Sequence, residues 1–312
     1  MLVDCRGGTT ATTLFGETFA HPVLLAPVSY HKLVHPEGEI ATAQAAAAQD
    51  TGMVVSTLAS EPLESIAAAL PANRWFQLYF QERPADTLSL VRRAEAAGYT
   101  ALAVTVDAPV VGMRNDAERA GFSMPAEVTA ANLARGPDPG PTVLEPGMSR
   151  VFQGAMSQAP GWDEVRRLCA DTPLPVLLKG ILSAADAVRA RECGVRGLVV
   201  SNHGGRALAL SPAALEMLPG IREAVGPDFT LLADGGIRRG SDVFVYLALG
   251  ADAVLIGRPQ LYALAVGGAA GVARMLRLIR DELEVTMALA GCPRITDIGI
   301  DRLRRRGPEP PA

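Results

Sequence analysis

Eight short apolar runs, each followed by a stretch of helical character, predict that this 312-residue chain folds as an α/β protein, a single (β/α)8 barrel. Three observations support that class. The runs are continuous rather than alternating, as in strands buried on both faces of a parallel sheet. Their number matches a closed barrel better than an open doubly wound sheet, and the length is one that α/β barrels commonly use as a single unit.

The runs come in order. "PVLLA" (22–26) precedes the alanine-rich "GEIATAQAAAAQ", and "MVVS" (53–56) follows it. "WFQLYF" (75–80) leads into "ADTLSLVRRAEAAG" and then "ALAVTV" (101–106). "PVLLK" (175–179) is followed by "AADAVRARECG", and the run at 196–200 by "SPAALEMLPGIREAV". "TLLAD" (230–234), "SDVFVYLALG" and "DAVLI" (252–256) complete the set. The greasy stretch at 261–273 is short and rich in glycine for a bilayer span, and reads as a loop leading into a helix.

One connection breaks the rhythm. About 65 residues separate the fourth run from the fifth, with glycine and proline dense in "RGPDPGPTVLEPGMSR". The segment follows a strand at its carboxyl end, so a mobile lid over about 115–160 is expected, with an inert insertion as the alternative. The end of the chain, about 303–312, reads as a frayed tail.

Composition narrows the function classes. Hydrophobic residues make up 49% and charged ones 20%, ordinary for a globular protein, and a formal net charge of −4 leaves no basic footprint for nucleic acid. The four cysteines, Cys5, Cys169, Cys193 and Cys292, show no C-x-x-C pairing, which speaks against a zinc site or disulfide framework. No metal site is expected. The amino end lacks a basic start followed by an apolar region, so a cytoplasmic protein with no membrane partner is expected.

Polar residues gather at the carboxyl ends of the runs: Gln77 and Tyr79, Thr105 and Asp107, Lys179, Ser201 with Asn202 and His203, and Asp234. In a barrel these ends share one face, where barrel active sites are built. Any one of them could instead cap the next helix or satisfy a turn. A second group, "ADGGIRRG" (233–240) with "LIGRP" (255–259), has the glycines, arginines and helix starts that hold phosphate after the last two strands of many barrels. Tight turns would use the same glycines.

Together "LLAPVSYHKLVHPEGE", "RWFQLYFQ", "VTVDAPVVGMRN", "PVLLKGI", "VVSNHGGR", "LADGGIRRGSDV" and "VLIGRP" resemble, in order and spacing, the FMN-dependent α-hydroxy-acid oxidase and dehydrogenase family, over about residues 20 to 295. The resemblance implies a barrel, bound FMN, and oxidation of an (S)-2-hydroxy acid to the 2-oxo acid. It assigns His203 as the base, Asp107 as the carboxylate paired with its imidazole, Arg114 and Arg206 as the substrate-carboxylate clamp, and Tyr79 as the phenol on the reacting oxygen. For FMN it implies backbone approach at Ala26, Pro27 and Val28, and hydrogen bonds to the ring or ribityl chain from Ser56, Gln77, Thr105 and Ser201. Lys179 falls beside the ring's N1 and O2, and Asp234, Gly235, Gly236, Ile237 and Arg238 join Gly257 and Arg258 around the phosphate.

Oxygen is the expected acceptor, giving hydrogen peroxide. A quinone or protein acceptor, or a catalytically impaired flavin-binding paralogue, stays open. Members often form tetramers, so a homo-oligomer is expected. The sequence also departs from the pattern: no tyrosine precedes Tyr30, Ser29 stands where alanine or glycine is usual, Leu58 where some relatives carry tryptophan, and Ala207 and Ala209, either side of Leu208, stand where glutamine and aspartate are common.

Overall fold

The computed structural model describes residues 2–110, 112, 115–133, 145, 147–157 and 159–304. A small antiparallel hairpin, β1 (Thr12–Leu14) with β2 (Glu17–Phe19), precedes eight barrel strands: β3 (Val23–Leu25), β4 (Gly52–Ser56), β5 (Arg74–Leu78), β6 (Ala101–Thr105), β7 (Val176–Ile181), β8 (Gly197–Val200), β9 (Thr230–Asp234) and β10 (Ala253–Ile256). All are parallel, in the spatial order of the chain, and β10 closes on β3 through Val254–Val23, Leu255–Leu24 and Ile256–Leu25. The expected (β/α)8 barrel is thus formed, each strand within two residues of its expected ends.

Side chains alternate across each strand, and the buried residues sort accordingly into two groups. Leu24, Val54, Trp75, Ala101, Ala103, Leu177, Val199, Leu232 and Leu255 fill the barrel interior. Leu25, Val55, Phe76, Val104, Leu178, Val200, Ala233 and Ile256 face outward against the helices. The helices following the strands are α1 (Gly38–Ala48), α2 (Leu63–Ala69), α3 (Pro84–Ala96), α5 (Trp162–Asp171), α6 (Ala184–Glu192), α7 (Ala214–Val225), α8 (Gly240–Ala248) and α9 (Arg258–Ala290), with α4 (Asn115–Arg119) inside the long connection.

The hairpin was not foreseen. Its three-residue strands are too short to display a period, and Gly16 turns them (φ 84°). Its aromatic side chains stack on the lowest interior layer, with Phe15 and Phe19 centroids 5.6 and 5.9 Å from Trp75, and Glu17 accepts a hydrogen bond from Thr100 Oγ1. The amino end of the barrel is thereby plugged, leaving the carboxyl end for the site.

The stretch at 261–273 corrects an expectation. It is helix rather than loop, because α9 starts at Arg258 with Pro259 in its first turn and breaks only at Gly267 and Gly268. Of the expected lid, residues 134–144, 146 and 158 lie outside the described residues, as do residues 305–312 of the expected tail. The described part of the connection is docked at residues 131–132. Ala131 N–H donates to the Ala59 carbonyl (2.9 Å), and Asn132 Oδ1 accepts from Leu63 N–H (2.8 Å). A π-helical turn, Arg150–Ala155, is capped by the Ser149 hydroxyl.

Candidate active site

The same alternation that fills the barrel builds the site. Two residues beyond the interior positions Ala103, Leu177, Val199 and Leu232 lie Thr105, Lys179, Ser201 and Asp234, while Val54 and Trp75 lead to Ser56 and Gln77. Every one of these continues the inward-facing parity, so one periodicity gives an apolar interior below and a polar floor above. Register aligns them as neighbours, Ser56 with Gln77 and Thr105 with Lys179.

His203 stands above this floor, in the loop after β8. Its backbone is left-handed (φ 57°), rare for a side chain other than glycine. The Ser201 hydroxyl holds that geometry by accepting from His203 N–H at 3.0 Å. Its Nδ1 meets Asp107 Oδ1 at 2.8 Å, from the loop after β6. The imidazole is 29% exposed and the carboxylate 11%, so the pair presents its histidine outward and its anion inward. Gly180 makes this approach possible. At φ 110°, it carries no side chain where a Cβ would fall 2.5 Å from Asp107 Cβ and Cγ.

Lys179, 4% exposed, donates to Ser201 Oγ (2.8 Å) and Asp234 Oδ2 (2.8 Å). An ammonium has three donors, so one remains beyond these two. Ser201 thus joins Lys179 to His203 rather than only lining the floor. Gln77 Oε1 accepts from Ser56 Oγ (3.3 Å) and Thr57 N–H (3.1 Å), which turns its amide nitrogen the other way.

Three buried polar atoms here have no partner within the protein: Gln77 Nε2, Asp107 Oδ2 and Asp234 Oδ1. Buried polar groups are rarely left so, and a donor and two acceptors at one end of a barrel fit a ligand rich in carbonyls and hydroxyls. FMN is such a ligand. Its ring carbonyls suit Gln77 Nε2 and Lys179, and its ribityl hydroxyls suit Asp234 Oδ1. Ala26 meets a tighter constraint, since its N–H donates to the Ile256 carbonyl and its own carbonyl accepts from Gln260 Nε2. Pro27 and Val28, half-buried, follow it around the rim.

The residues expected around a phosphate lie at or just after the ends of β9 and β10. Gly236, Arg238 and Arg258 are exposed, Gly235 and Gly257 half-exposed, and Ile237 buried. A Cβ on Gly236 would meet nothing within 4 Å, and the Arg258 guanidinium reaches toward Gly204, 3.4 Å from where a Cβ there would lie. Arg238 N–H and Arg239 N–H already donate to Asp242 Oδ2, both at 2.9 Å, which leaves the exposed Arg238 side chain rather than its amide for an anion. Arg206 is exposed, and the backbone of Gly112 packs on the carbonyls of Arg206 and Ala207. Arg114 lies outside the described residues. Half-buried Tyr79 has its N–H on Thr57 Oγ1 (3.2 Å).

Three contributors escaped sequence reasoning. Thr57 also donates to the Gln77 carbonyl (2.6 Å), tying Gln77 to Tyr79. Gln260, fully buried on α9, holds Ala26. Tyr246 donates to the Gly235 carbonyl at 2.7 Å, and burial pushes its phenol up to about 12, keeping it a donor. None lies in a strand-end motif, so no local pattern marked them.

Comparison with known proteins identifies the family. The family described as "FMN-dependent dehydrogenase" matches residues 1–305. An L-lactate oxidase of Alicycliphilus denitrificans is 54% identical over 303 residues, covering 97% of this chain and 83% of the relative. A peroxisomal (S)-2-hydroxyacid oxidase of Arabidopsis thaliana is 41% identical over 97% of this chain and 83% of its own length. Among solved structures, mandelate oxidase with (S)-2-phenylpropionate superposes with a TM-score of 0.86 at 43% identity, over 95% of this chain and 82% of the other. A mandelate oxidase variant holding an FMN adduct gives 0.86 at 42%, over 96% and 84%. With the closed barrel, the polar strand ends and the matched length taken together, the chain belongs to the FMN-dependent α-hydroxy-acid oxidase and dehydrogenase family.

Proposed function

We propose that this chain oxidises a small (S)-2-hydroxy acid of the lactate class to the 2-oxo acid, with His203 as the base. The observation that carries the reading is the Asp107–His203 pair at the rim of a floor with buried polar atoms that no protein group satisfies. With Nδ1 on the carboxylate, the imidazole offers Nε2 to the substrate. Removing a proton from the substrate makes imidazolium, and Asp107 at 2.8 Å stabilises that charge. FMN, once bound, supplies the two-electron sink, which oxygen empties with release of hydrogen peroxide.

The remaining roles follow the chemistry of each group. Arg206, with Arg114, clamps the substrate carboxylate through forked donors, and the Tyr79 phenol steadies the reacting oxygen. Lys179, held by Ser201 and Asp234, supplies positive charge at the ring end of the cofactor site, and Gln77 supplies its unpaired amide. Arg238 and Arg258 take the phosphate. The lactate class is favoured by the names of two relatives, L-lactate oxidases 54% and 49% identical to this chain. Assembly as a homo-oligomer belongs to the same reading, supported by family likeness and by Leu278, Val285 and Leu289 exposed on α9. Light scattering checks it.

The enzymatic test is an oxygen electrode with peroxide detection. L-lactate should consume one oxygen and yield one peroxide per 2-oxo acid, faster than glycolate or mandelate, and D-lactate should be inert. Turnover with a quinone-like dye but not with oxygen would replace the oxidase with a dehydrogenase.

A further inference from the structure

Behind the flavin floor lies a buried carboxylate with no part in the reaction described above. Glu39, 1% exposed in the first turn of α1, accepts at Oε1 from His31 N–H (3.0 Å) and Ser60 N–H (2.9 Å), and at Oε2 from the Ser60 hydroxyl (2.7 Å). Ser60 Oγ in turn accepts from Lys32 N–H (3.1 Å), and Tyr30 N–H donates to the Leu58 carbonyl (3.1 Å). His31, equally buried, leans on the same helix through Thr42 Oγ1 (3.0 Å).

These bonds join two separate strand-end loops. One, after β3, carries Pro27, Val28 and Ser29; the other, after β4, begins at Ser56 and carries Leu58. Their ends meet at the cofactor floor, where Ser29 Oγ lies 3.5 Å from Ser56 Oγ and Ser56 reaches Gln77. The first loop is not relaxed on its own, because Tyr30 sits at φ 56° immediately before the N–H that Glu39 holds. The second also anchors the long connection through the Ala59 carbonyl and Ala131 N–H. An apolar side chain at position 39 would leave His31 N–H and Ser60 N–H buried without acceptors. A carboxylate in the first turn is also favoured by the helix dipole.

We infer that Glu39 is a positioning residue for the FMN site, a buried brace that locks the β3 and β4 loops in the arrangement the flavin needs without touching it. The inference rests on the cofactor assignments proposed above. It predicts that loss of the brace weakens FMN binding more than it weakens the fold.

The test measures FMN affinity of the apoprotein by quenching of flavin fluorescence, together with apoprotein melting. Glu39→Ala should weaken FMN by about tenfold or more, the equivalent of one unpaired buried donor. Glu39→Gln should stay within about threefold of wild type, since its carbonyl keeps both backbone donors and its amide can donate to Ser60 Oγ. Asp252→Ala is the control. That carboxylate also accepts a backbone N–H, from Leu231 at 2.7 Å, but at the far end of the barrel, so melting should fall while FMN affinity holds.

Should Glu39→Ala fail to fold, Ser60→Ala removes one of the three donors and should weaken FMN by about threefold. Wild-type FMN affinity in the folded Ala variant, or in Ser60→Ala where that variant replaces it, overturns the brace alone. A wild-type chain that took up no FMN would overturn the cofactor assignments and the brace with them.

Discussion

Gly180 decides where Asp107 can stand, and through it where the His203 imidazole points. Its positive φ and the 2.5 Å clearance leave no room for a methyl group. Gly180→Ala should displace the carboxylate, and because misplacement of about 1 Å can cost 10²-fold, flavin reduction by hydroxy acid should slow by about that factor. Rapid-mixing spectroscopy of the FMN-loaded variant checks this, and an unchanged rate would mean that Asp107 need not occupy its observed place. The residue scale is also where the sequence was least complete. "SNHGGR" pointed to His203 through the family resemblance it carries, while the residue taken alone could equally have satisfied a turn. Gly180 in "PVLLKGI" looked like an ordinary glycine, because the group it accommodates is 73 positions earlier in the chain, at Asp107. Thr57, Gln260 and Tyr246 were invisible for the same reason. Each acts on a partner that only the fold brings near.

At the scale of elements, the barrel strands were legible because burial on both faces writes them as unbroken apolar runs. The polar residues at the run ends were legible as a group, while their shared inward parity, from Ser56 to Asp234, became visible only in the barrel. The hairpin of β1 and β2 and the start of α9 were not legible. Three-residue strands carry no period, and the glycines at 267, 268 and 271 disguise helix as loop. Helix packing yields a prediction of its own. Gly240 opens α8 directly against the α9 backbone, where a Cβ would lie 2.1 Å from Leu283 N and 2.5 Å from the Ile279 carbonyl oxygen. No rotamer relieves a clash with main chain, so Gly240→Ala should cost about 3 kcal/mol in denaturant unfolding. A variant as stable as wild type would mean that the two helices slide apart freely.

Over the whole molecule, the barrel separates stability at its amino end from chemistry at its carboxyl end. His21 belongs to the first. Burial lowers its pKa to about 4, with Nε2 near Thr51 Oγ1 (2.9 Å) and the Gln49 carbonyl (3.3 Å), while Nδ1 accepts from Val23 N–H. Unfolding frees it to titrate near 6.5, so between pH 6.5 and 4 the unfolded chain binds more protons than the folded one. The contribution is complete above pH 6.5 and lost as the pH falls through 4, about 3 kcal/mol in all. Thermal unfolding across that window should show the slope in wild type and lose it in His21→Asn. At the other end, flavin, imidazole and guanidinium groups must act on one substrate. Anaerobic mixing of the FMN-loaded protein with L-lactate tests that convergence most directly. Wild type should bleach at once, whereas His203→Ala, still yellow, should bleach about 10² to 10⁴ times more slowly. Equal bleaching in the two proteins would contradict it.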